Sequence, residues 1–403
     1  MYENNWSGFW ILRLFSILAG YATILAPSIV FVRYVRRTTS GFPNTFFWNF
    51  AKLFSIGRPE YELLTADVES AKNESSHIAY DSFLYDCACF VAYFIGIQIT
   101  LVPMGFFQER IMTQDYVKFS DPSVYGKFNE AQFLVMMNRL VALLFSVVVL
   151  FSRWSREPVH VPALYKHSFT SMSNTLSSWC QYEALKFVSF PTQTVCKASK
   201  ILPTMLMGFI VRGERYAIAQ CISALFLAAG ASMFFLENAR NVSSESRFTT
   251  FSGLVLMAGY LFFDGFTLNW QKKLFDTRPR VSKYQMMLGV NAFSLIFCFV
   301  SLVEEGKLLS SIEFLMEYED VGRDIFLLSL FGAFGQVVIY KTIEHFGPIV
   351  FAVVMTLRQI FSIAGSLYIY EHPVTPFGLI GLLIVFVAIF YNLYRQYKGS
   401  RLK

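Results

Sequence analysis

The chain contains a series of apolar segments, each about as long as a helix that crosses a lipid bilayer. A helix needs about 20 apolar residues to cover the roughly 30 Å of hydrocarbon in a membrane. Segments of this length therefore predict membrane-spanning helices. We predict eleven spans, at residues 9–32, 83–104, 133–151, 169–188, 192–211, 216–236, 251–270, 286–303, 325–343, 349–370 and 374–394.

The composition supports the same class of protein. Of the 403 residues, 55% are hydrophobic and 15% are charged, and the mean hydropathy is +0.45. Soluble domains carry about 25% charged residues, so a soluble globular protein is excluded. We predict an all-α membrane protein. The weakest of the spans is 169–188, because its sequence SMSNTLSSWCQYE is polar along one side.

The distribution of basic residues predicts the orientation of the chain in the membrane. Basic residues are concentrated in alternate connections, and cytosolic loops carry an excess of Lys and Arg. The C-terminus is therefore predicted to be cytosolic and the N-terminus lumenal. The sequon Asn241-Val242-Ser243 lies in a loop assigned to the lumen, as glycosylation requires. The basic residues of the cytosolic loops are Arg33, Arg36, Arg37, Arg153, Arg156, Lys166, Arg212, Arg215, Lys272, Lys273, Arg278, Arg280, Lys283, Arg395, Lys398, Arg401 and Lys403.

The order of apolar and polar segments predicts five regions. Residues 1–37 form a retained N-terminal transmembrane anchor, because residues 1–8 contain no Lys or Arg and no signal-peptidase site follows. A polar cytosolic linker covers 38–82. Two five-helix repeats follow at 83–236 and 248–394, and a basic cytosolic tail covers 395–403.

The repeats are predicted from an internal correspondence at an offset of 157 residues. Pro191, Gly208 and Glu214 surround one span, and Pro348, Gly365 and Glu371 surround its counterpart. An odd number of crossings separates the two spans, so the copies face opposite ways. Inverted repeats of this kind allow a transporter to open alternately to each side of the membrane. The predicted fold is a ten-helix core of two inverted five-helix repeats, preceded by one transmembrane helix.

Basic residues inside the spans are the strongest functional signal. A charged side chain at the centre of a membrane helix costs about 2.5–3.5 kcal/mol on insertion scales. Lys197 and Lys200 are predicted to share one helix face, and Arg358 lies near the equivalent position of the second repeat. We predict that these three cations and Arg139 bind an anionic substrate. The alternative is structural ion pairing, with Asp264 as a candidate partner for a lysine.

Polar side chains in the same spans are candidates for binding an uncharged base or sugar. They are Asn138, Gln181, Tyr182, Tyr340 and Gln359. No motif for a catalytic nucleophile or a metal site is visible, so the sequence predicts no enzyme, no cofactor and no metal. It predicts contact with membrane lipids and none with nucleic acid, and it leaves homo-oligomerisation open.

Several motifs resemble those of one transporter family. KASKILPTMLMG (197–208) resembles the signature of the nucleotide-sugar transporter family of the drug/metabolite transporter superfamily. Four further motifs resemble the group of that family that carries adenosine 3'-phospho 5'-phosphosulfate (PAPS). These are SSWCQYEALKFVSFPTQ (177–193), FLVMMNRLVAL (133–143), QMMLGVN (285–291) and MTLRQIFSI (355–363). Ile201 follows the second lysine, where the sister groups have proline.

The resemblance implies a multi-pass Golgi membrane protein. Such a protein would carry PAPS into the lumen for sulfotransferases, in exchange for an adenine nucleotide. With two anionic ends on PAPS, Lys197 and Lys200 would hold one end and Arg358 the other. Alternatives are a carrier of a nucleotide sugar or of ATP and ADP. A receptor or an intramembrane enzyme is the alternative from another class.

Overall fold

The structure, a computed structural model, is almost entirely helical. It describes residues 6–38, 45–57, 82–113, 115–121, 123–128, 130–154, 157–158, 160–184, 187, 196–197, 199–242, 251–277, 281–369 and 376–401. Twelve helices and one two-stranded hairpin occur in these ranges. The helices are α1 (Trp6–Arg37), α2 (Phe46–Ser55), α3 (Ser82–Thr113), α4 (Ala131–Ser152), α5 (Lys166–Ala184), α6 (Ile201–Arg212), α7 (Ile218–Val242), α8 (Phe251–Phe275), α9 (Lys283–Glu304), α10 (Lys307–Glu317), α11 (Val321–Ile369) and α12 (Pro376–Arg401).

In the described ranges, six stretches of helix are long and apolar enough to cross a membrane, so a multi-pass membrane protein is confirmed. Four other predicted spans fall on α5, α6, α7 and α12, and the count of eleven stays a prediction. Helices α6, α7 and α12 each contain a shorter apolar stretch. The six are Leu18–Arg37, Tyr85–Gln108, Gln132–Ser152, Phe251–Phe275, Lys283–Glu304 and Val321–Phe361.

Helix α5 buries the polar stripe that made its span the weakest prediction. The Ser171 hydroxyl donates to the carbonyl of His167 at 3.0 Å, and the Thr175 hydroxyl donates to the carbonyl of Ser171 at 2.8 Å. The Ser171 hydroxyl also lies 2.7 Å from the carbonyl of Val290 on α9. Carbonyls of the same helix and of a neighbouring one therefore serve as acceptors for buried hydroxyl groups of α5.

Helix α11 is interrupted where the sequence predicts a boundary between two spans. A continuous helix of its 49 residues would be about 74 Å long, more than twice the thickness of the hydrocarbon. Gly347 breaks it with φ of 85°, and Pro348 follows without a backbone N–H. The 49 residues are therefore two helices that meet at Gly347.

Three short elements lie outside the predicted spans. Helix α2 occupies part of the predicted linker, and α10 lies in the connection between α9 and α11. Strands β1 (Asp115–Val117) and β2 (Tyr125–Lys127) form an antiparallel hairpin after α3. The Tyr116 hydroxyl of this hairpin donates to the buried carboxylate of Asp324 at 3.1 Å. The Nε atom of Arg110 lies 3.1 Å from the same carboxylate, so Arg110 forms an ion pair with Asp324.

The chain folds into two compact units that do not coincide with the two halves of the sequence. The first unit contains Met1–Ala79, Gly96–Thr175 and Leu274–Glu344, and the second contains Tyr80–Ile95, Leu176–Lys273 and His345–Lys403. Each unit therefore takes segments from both predicted repeats. The boundaries between the units fall within α3, α5, α8 and α11.

In the first unit, α4 packs along α9, and α1 also contacts α9. The rings of Tyr21 and Phe297 lie 5.0 Å apart at the contact between α1 and α9. An apolar cluster also joins Phe128, which directly follows the hairpin, to Phe133 of α4 and Leu302 of α9. This packing holds α4, the helix that carries Arg139, against α9.

In the second unit, α7 packs along α12. The approach is close, because a Cβ on Gly230 would lie 2.8 Å from the carbonyl oxygen of Gly381. Buried side chains of α6 and α11 join the same core, among them Ile201 and Leu357. The starting residue of α6 and the residue before Arg358 are thus anchored in one apolar core.

Candidate anion-binding site

The two lysines lie at the beginning of α6 instead of within a longer helix. Lys200 is the residue before the first helical position, Ile201. The amide of Lys200 donates to the carbonyl of Lys197 at 3.4 Å, so the two lysines remain one turn apart. The span predicted over 192–211 therefore stays a prediction: α6 covers its second half, 196–197 are also helical, and 192–195 and 198 lie outside the described residues.

The local sequence explains this start. Pro203 is the third residue of α6, where a missing N–H leaves no hydrogen bond unmade. The amide of Leu202 donates to the carbonyl of Ser199 at 3.2 Å, so the turn that carries the two lysines continues directly into α6.

Lys200 already has an acidic partner in the second unit. Its Nζ lies 3.5 Å from Oδ2 of Asp264 on α8, and it also lies 5.2 Å from the centre of the Phe351 ring. The Lys200 residue is only 7% exposed. The alternative of an ion pair with Asp264 is therefore confirmed for Lys200.

Lys197 and Arg358 have no such partner in the described ranges, where no carboxylate oxygen lies within 4.0 Å of either side chain. The positive charges of Lys200 and Arg358 both repel that of Lys197. Three cations and one carboxylate leave two positive charges in this group, which we call the cation cluster (Lys197, Lys200, Asp264 and Arg358).

The orientation of Arg358 leaves donors available. Its Nε atom is buried and, among the described residues, has no hydrogen-bond acceptor. Tyr260 of α8 is buried and interacts electrostatically with both Arg358 and Asp264. A guanidinium with unused N–H groups can bind an oxyanion through two parallel hydrogen bonds. The cation cluster therefore has the charge and the donors that a phosphate or sulfate group requires.

The predicted polar contacts are divided between the two units. Gln181, Tyr182 and Gln359 belong to the second unit. The Oε1 atom of Gln359 is buried and has no hydrogen-bond donor among the described residues. Gln181 is partly exposed on α5, and the side chain of Tyr182 lies outside the described part of the chain.

Arg139, Asn138 and Tyr340 belong to the first unit. Arg139 interacts electrostatically with Tyr340, which is 3% exposed. Its Nη1 donates to Oδ1 of Asn291 at 3.5 Å. In the described ranges, no carboxylate lies within 4.0 Å of Arg139, so the ion-pair alternative has no support there. The structure thus brings Lys197, Lys200 and Arg358 together and assigns Arg139 to a separate group.

Five residues around these cations were not among the predicted contacts. Each is a polar or aromatic residue within an apolar span, which is the signal that could have identified it. Asp264 was considered only as an ion-pair partner for a lysine. No three metal-ligating side chains cluster in the described ranges. The five are Tyr260, Asp264, Asn291, Gln336 and Phe351.

Comparison with known proteins assigns the family. The profile of the UAA transporter family matches residues 89–396. The chain belongs to the UAA transporter family. It is therefore a membrane transporter and not an enzyme.

Two individual relatives align with almost the whole chain of this UAA transporter. It is 51% identical over 396 residues to adenosine 3'-phospho 5'-phosphosulfate transporter 1 of Caenorhabditis elegans, covering 97% of this chain and 93% of the relative. It is 39% identical over 403 residues to the Homo sapiens protein of the same name, covering 99% and 90%. UDP-galactose/UDP-glucose transporter 5 of Arabidopsis thaliana is 35% identical over 310 residues, covering 76% and 87%.

Proposed function

We propose that the chain transports PAPS across a membrane. The observation that carries this proposal is the identity of 51% over 97% of the chain with a relative named for PAPS transport. The relative named for UDP-galactose and UDP-glucose matches less of the chain, 76%, at 35% identity. PAPS carries a 3'-phosphate and a 5'-phosphosulfate, so its carrier needs strong anion contacts.

The cation cluster supplies such contacts. Lys197 and Arg358 have no carboxylate partner among the described residues, and both belong to the second unit. We assign them, with Lys200, to one anionic end of the substrate. This revises the earlier hypothesis that Arg358 binds the opposite end. Gln181, Tyr182 and Gln359 of the same unit are assigned to the adenosine.

Arg139, Asn138 and Tyr340 form a second proposed set of substrate contacts. Arg139 is a half-buried cation in a membrane-spanning helix, and such residues generally mark a substrate path. The two sets are tested by their own variants. A weaker apparent affinity for PAPS after Arg139→Gln supports this second set, and an unchanged affinity removes it.

The proposed transport cycle is alternating access by two inverted repeats. Helix bounds support the internal correspondence, because α7 shifted by 157 residues covers 375–399 and α12 covers Pro376–Arg401. When α6 is shifted by the same 157 residues, it covers 358–369. Its last position then coincides with Ile369, the last residue of α11. We propose exchange for an adenine nucleotide, because three like charges near one another disfavour an empty carrier changing its conformation.

The proposed location is the Golgi membrane, with a lumenal N-terminus and a cytosolic C-terminus. The basic connections support this orientation, since Lys272 and Lys273 end α8 and Arg212 ends α6. Protease protection of tags at the two termini, in sealed Golgi vesicles, tests it. Digestion of an N-terminal tag in sealed vesicles would contradict it.

Uptake by proteoliposomes separates PAPS from the other candidate substrates. The second candidate is a nucleotide sugar, which the Arabidopsis relatives favour. Purified protein is reconstituted, and uptake of radiolabelled PAPS is measured with an excess of unlabelled PAPS, UDP-galactose or ATP. Strong competition by unlabelled PAPS and little by UDP-galactose is expected. Absence of PAPS uptake, with uptake of UDP-galactose, would establish the second candidate instead. Binding without uptake would indicate a receptor.

A further inference from the structure

Arg139 is held by a chain of hydrogen bonds through three helices of the first unit. Its Nη1 donates to Oδ1 of Asn291 on α9 at 3.5 Å. The Nδ2 of Asn291 donates to Oε1 of Gln336 on α11 at 2.8 Å, and also to the carbonyl of Met287 at 2.8 Å. Asn291 is 0% exposed and Gln336 is 9% exposed. We call this chain of hydrogen bonds the relay (Arg139, Asn291 and Gln336). Its two amide side chains are buried.

The hydrogen bonds of Asn291 fix which of its atoms faces Arg139. A side-chain amide has two N–H donors and one acceptor oxygen. Both donors are directed to acceptors on two different helices, so the oxygen is left for the guanidinium. A flipped amide would lose both bonds and would turn its own donors toward those of Arg139. The Met287 carbonyl and Gln336 thus orient Asn291 together, and Asn291 orients Arg139.

The chemical nature of this partner matters as much as its position. A neutral amide oxygen can orient a guanidinium without cancelling its charge. A carboxylate at the same place would form an ion pair and would compete with any anionic ligand. Most of the five N–H donors of Arg139 are not used by Asn291, and the nearby Asn138 Oδ1 is buried without a donor among the described residues. The arrangement keeps a positive charge oriented and available.

We propose that Asn291 and Gln336 are positioning residues that hold Arg139 ready for an oxyanion group of the substrate, a phosphate or sulfate ester. This inference rests on the proposed function for the identity of the substrate. Neither residue is proposed to touch the substrate itself. Their effect on transport is exerted through the orientation and the charge of Arg139.

The variant Asn291→Asp separates this role from a structural one. It supplies a carboxylate at nearly the same volume, so it is expected to pair with Arg139. It also removes the two N–H donors that bind Gln336 and the Met287 carbonyl, so a lower melting temperature in detergent is expected as well. We expect its KM for PAPS uptake to rise about tenfold while kcat changes little. An unchanged KM in folded protein would overturn the proposal, because pairing Arg139 with a carboxylate would then not affect substrate binding.

Two further variants test the route of the effect. Gln336→Leu removes the acceptor that orients Asn291, and a smaller rise in KM is expected. In an Arg139→Gln background, Asn291→Asp should cause no further rise in KM. Additive effects in the double variant would overturn the proposal, since Asn291 would then act independently of Arg139.

A binding measurement distinguishes failure of this inference from failure of the proposed function. Melting temperatures of the wild type and of Asn291→Asp are measured with PAPS, UDP-galactose, ATP and pyrophosphate. No response of the wild type to PAPS would count against PAPS as substrate. The relay is then judged on the ligand that does stabilise the wild type. A smaller shift in Asn291→Asp supports the relay, and equal shifts, or no shift with any of the four, overturn it.

Discussion

The Nζ atom of Lys200 lies 3.5 Å from the Oδ2 atom of Asp264, at the beginning of the helix that carries the family signature. Asp264 is thereby an internal counter-ion within a group of cations. If Lys200 binds the substrate as proposed, a substrate phosphate would compete with this carboxylate for the ammonium group. Such competition would weaken substrate binding and speed release, which a carrier needs in order to turn over.

Asp264→Asn is therefore expected to tighten binding and slow release. The KM for PAPS uptake should fall several-fold and the maximal rate should fall with it. The protein without ligand should melt earlier, because Lys200 loses its partner. PAPS should raise the melting temperature of this variant more than that of the wild type. Asp264→Glu keeps the charge and is the matched control. A lower rate with an unchanged KM and an unchanged ligand response would contradict this role.

Arg358→Gln tests the cation that has an unused buried donor. The variant keeps hydrogen-bonding capacity but removes the charge, and a charged hydrogen bond to a buried group contributes about 1.5–3 kcal/mol. The KM for PAPS should therefore rise about tenfold to a hundredfold. Arg358→Lys keeps the charge without the planar donors and should fall between the two. Equal KM values for the wild type and Arg358→Gln would remove Arg358 from the site.

Gly347→Ala tests the break in α11. The backbone at Gly347 has φ of 85°, where a Cβ costs about 1–2 kcal/mol. We expect a lower melting temperature and slower transport. Gly105→Ala is the control, because a Cβ there has nothing within 4 Å and Gly105 lies inside α3. If both variants behave alike, the conformation at Gly347 is not important for the fold.

The contact between the buried His167 and the half-buried His160 predicts a loss of stability in acid. Their Nε2 atoms lie 3.2 Å apart, and burial together with the charge of His160 lowers the pKa of His167 to about 3 from an ordinary value of 6.5. An unfolded chain therefore takes up a proton below pH 6.5 that the folded chain refuses. Stability should be constant above that pH and fall by about 1.4 kcal/mol per pH unit below it.

The control for this prediction is His167→Gln, which removes the titrating group. Melting temperatures in detergent from pH 8 to pH 5 should be flatter for the variant than for the wild type. Identical slopes for the two proteins would show that His167 is not the cause. Gln keeps a polar side chain at this closely packed position. The packing is tight because a Cβ on Gly289 would lie only 2.6 Å from the His167 ring.

The helical class and the break at Gly347 could be predicted from the sequence, because both depend on local patterns. Apolar runs fix where helices form, and a Gly-Pro pair ends a helix. The start of α6 at Ile201 was not predicted. Pro203 alone is compatible with either a first turn or a kinked interior, so the apolar run suggested a longer helix.

The arrangement of the cations could not be read from the sequence. Lys200 and Asp264 are 64 positions apart, and their pairing depends on how α6 packs with α8 in the second unit. The relay from Arg139 through Asn291 to Gln336 likewise joins three distant segments. Helix α2 was missed because its ten residues are too short to form a span. Side-chain partners across helices are set by packing, which leaves no local pattern.

Uptake of radiolabelled PAPS into proteoliposomes preloaded with adenosine 3',5'-bisphosphate tests the central claim most directly. The wild type should accumulate PAPS well above empty liposomes, and more when preloaded than when not. The double variant Lys200→Ala with Arg358→Ala should lose most of this uptake while remaining folded in detergent. Undiminished uptake by the double variant would contradict the site, and absence of PAPS uptake by the wild type would contradict the function.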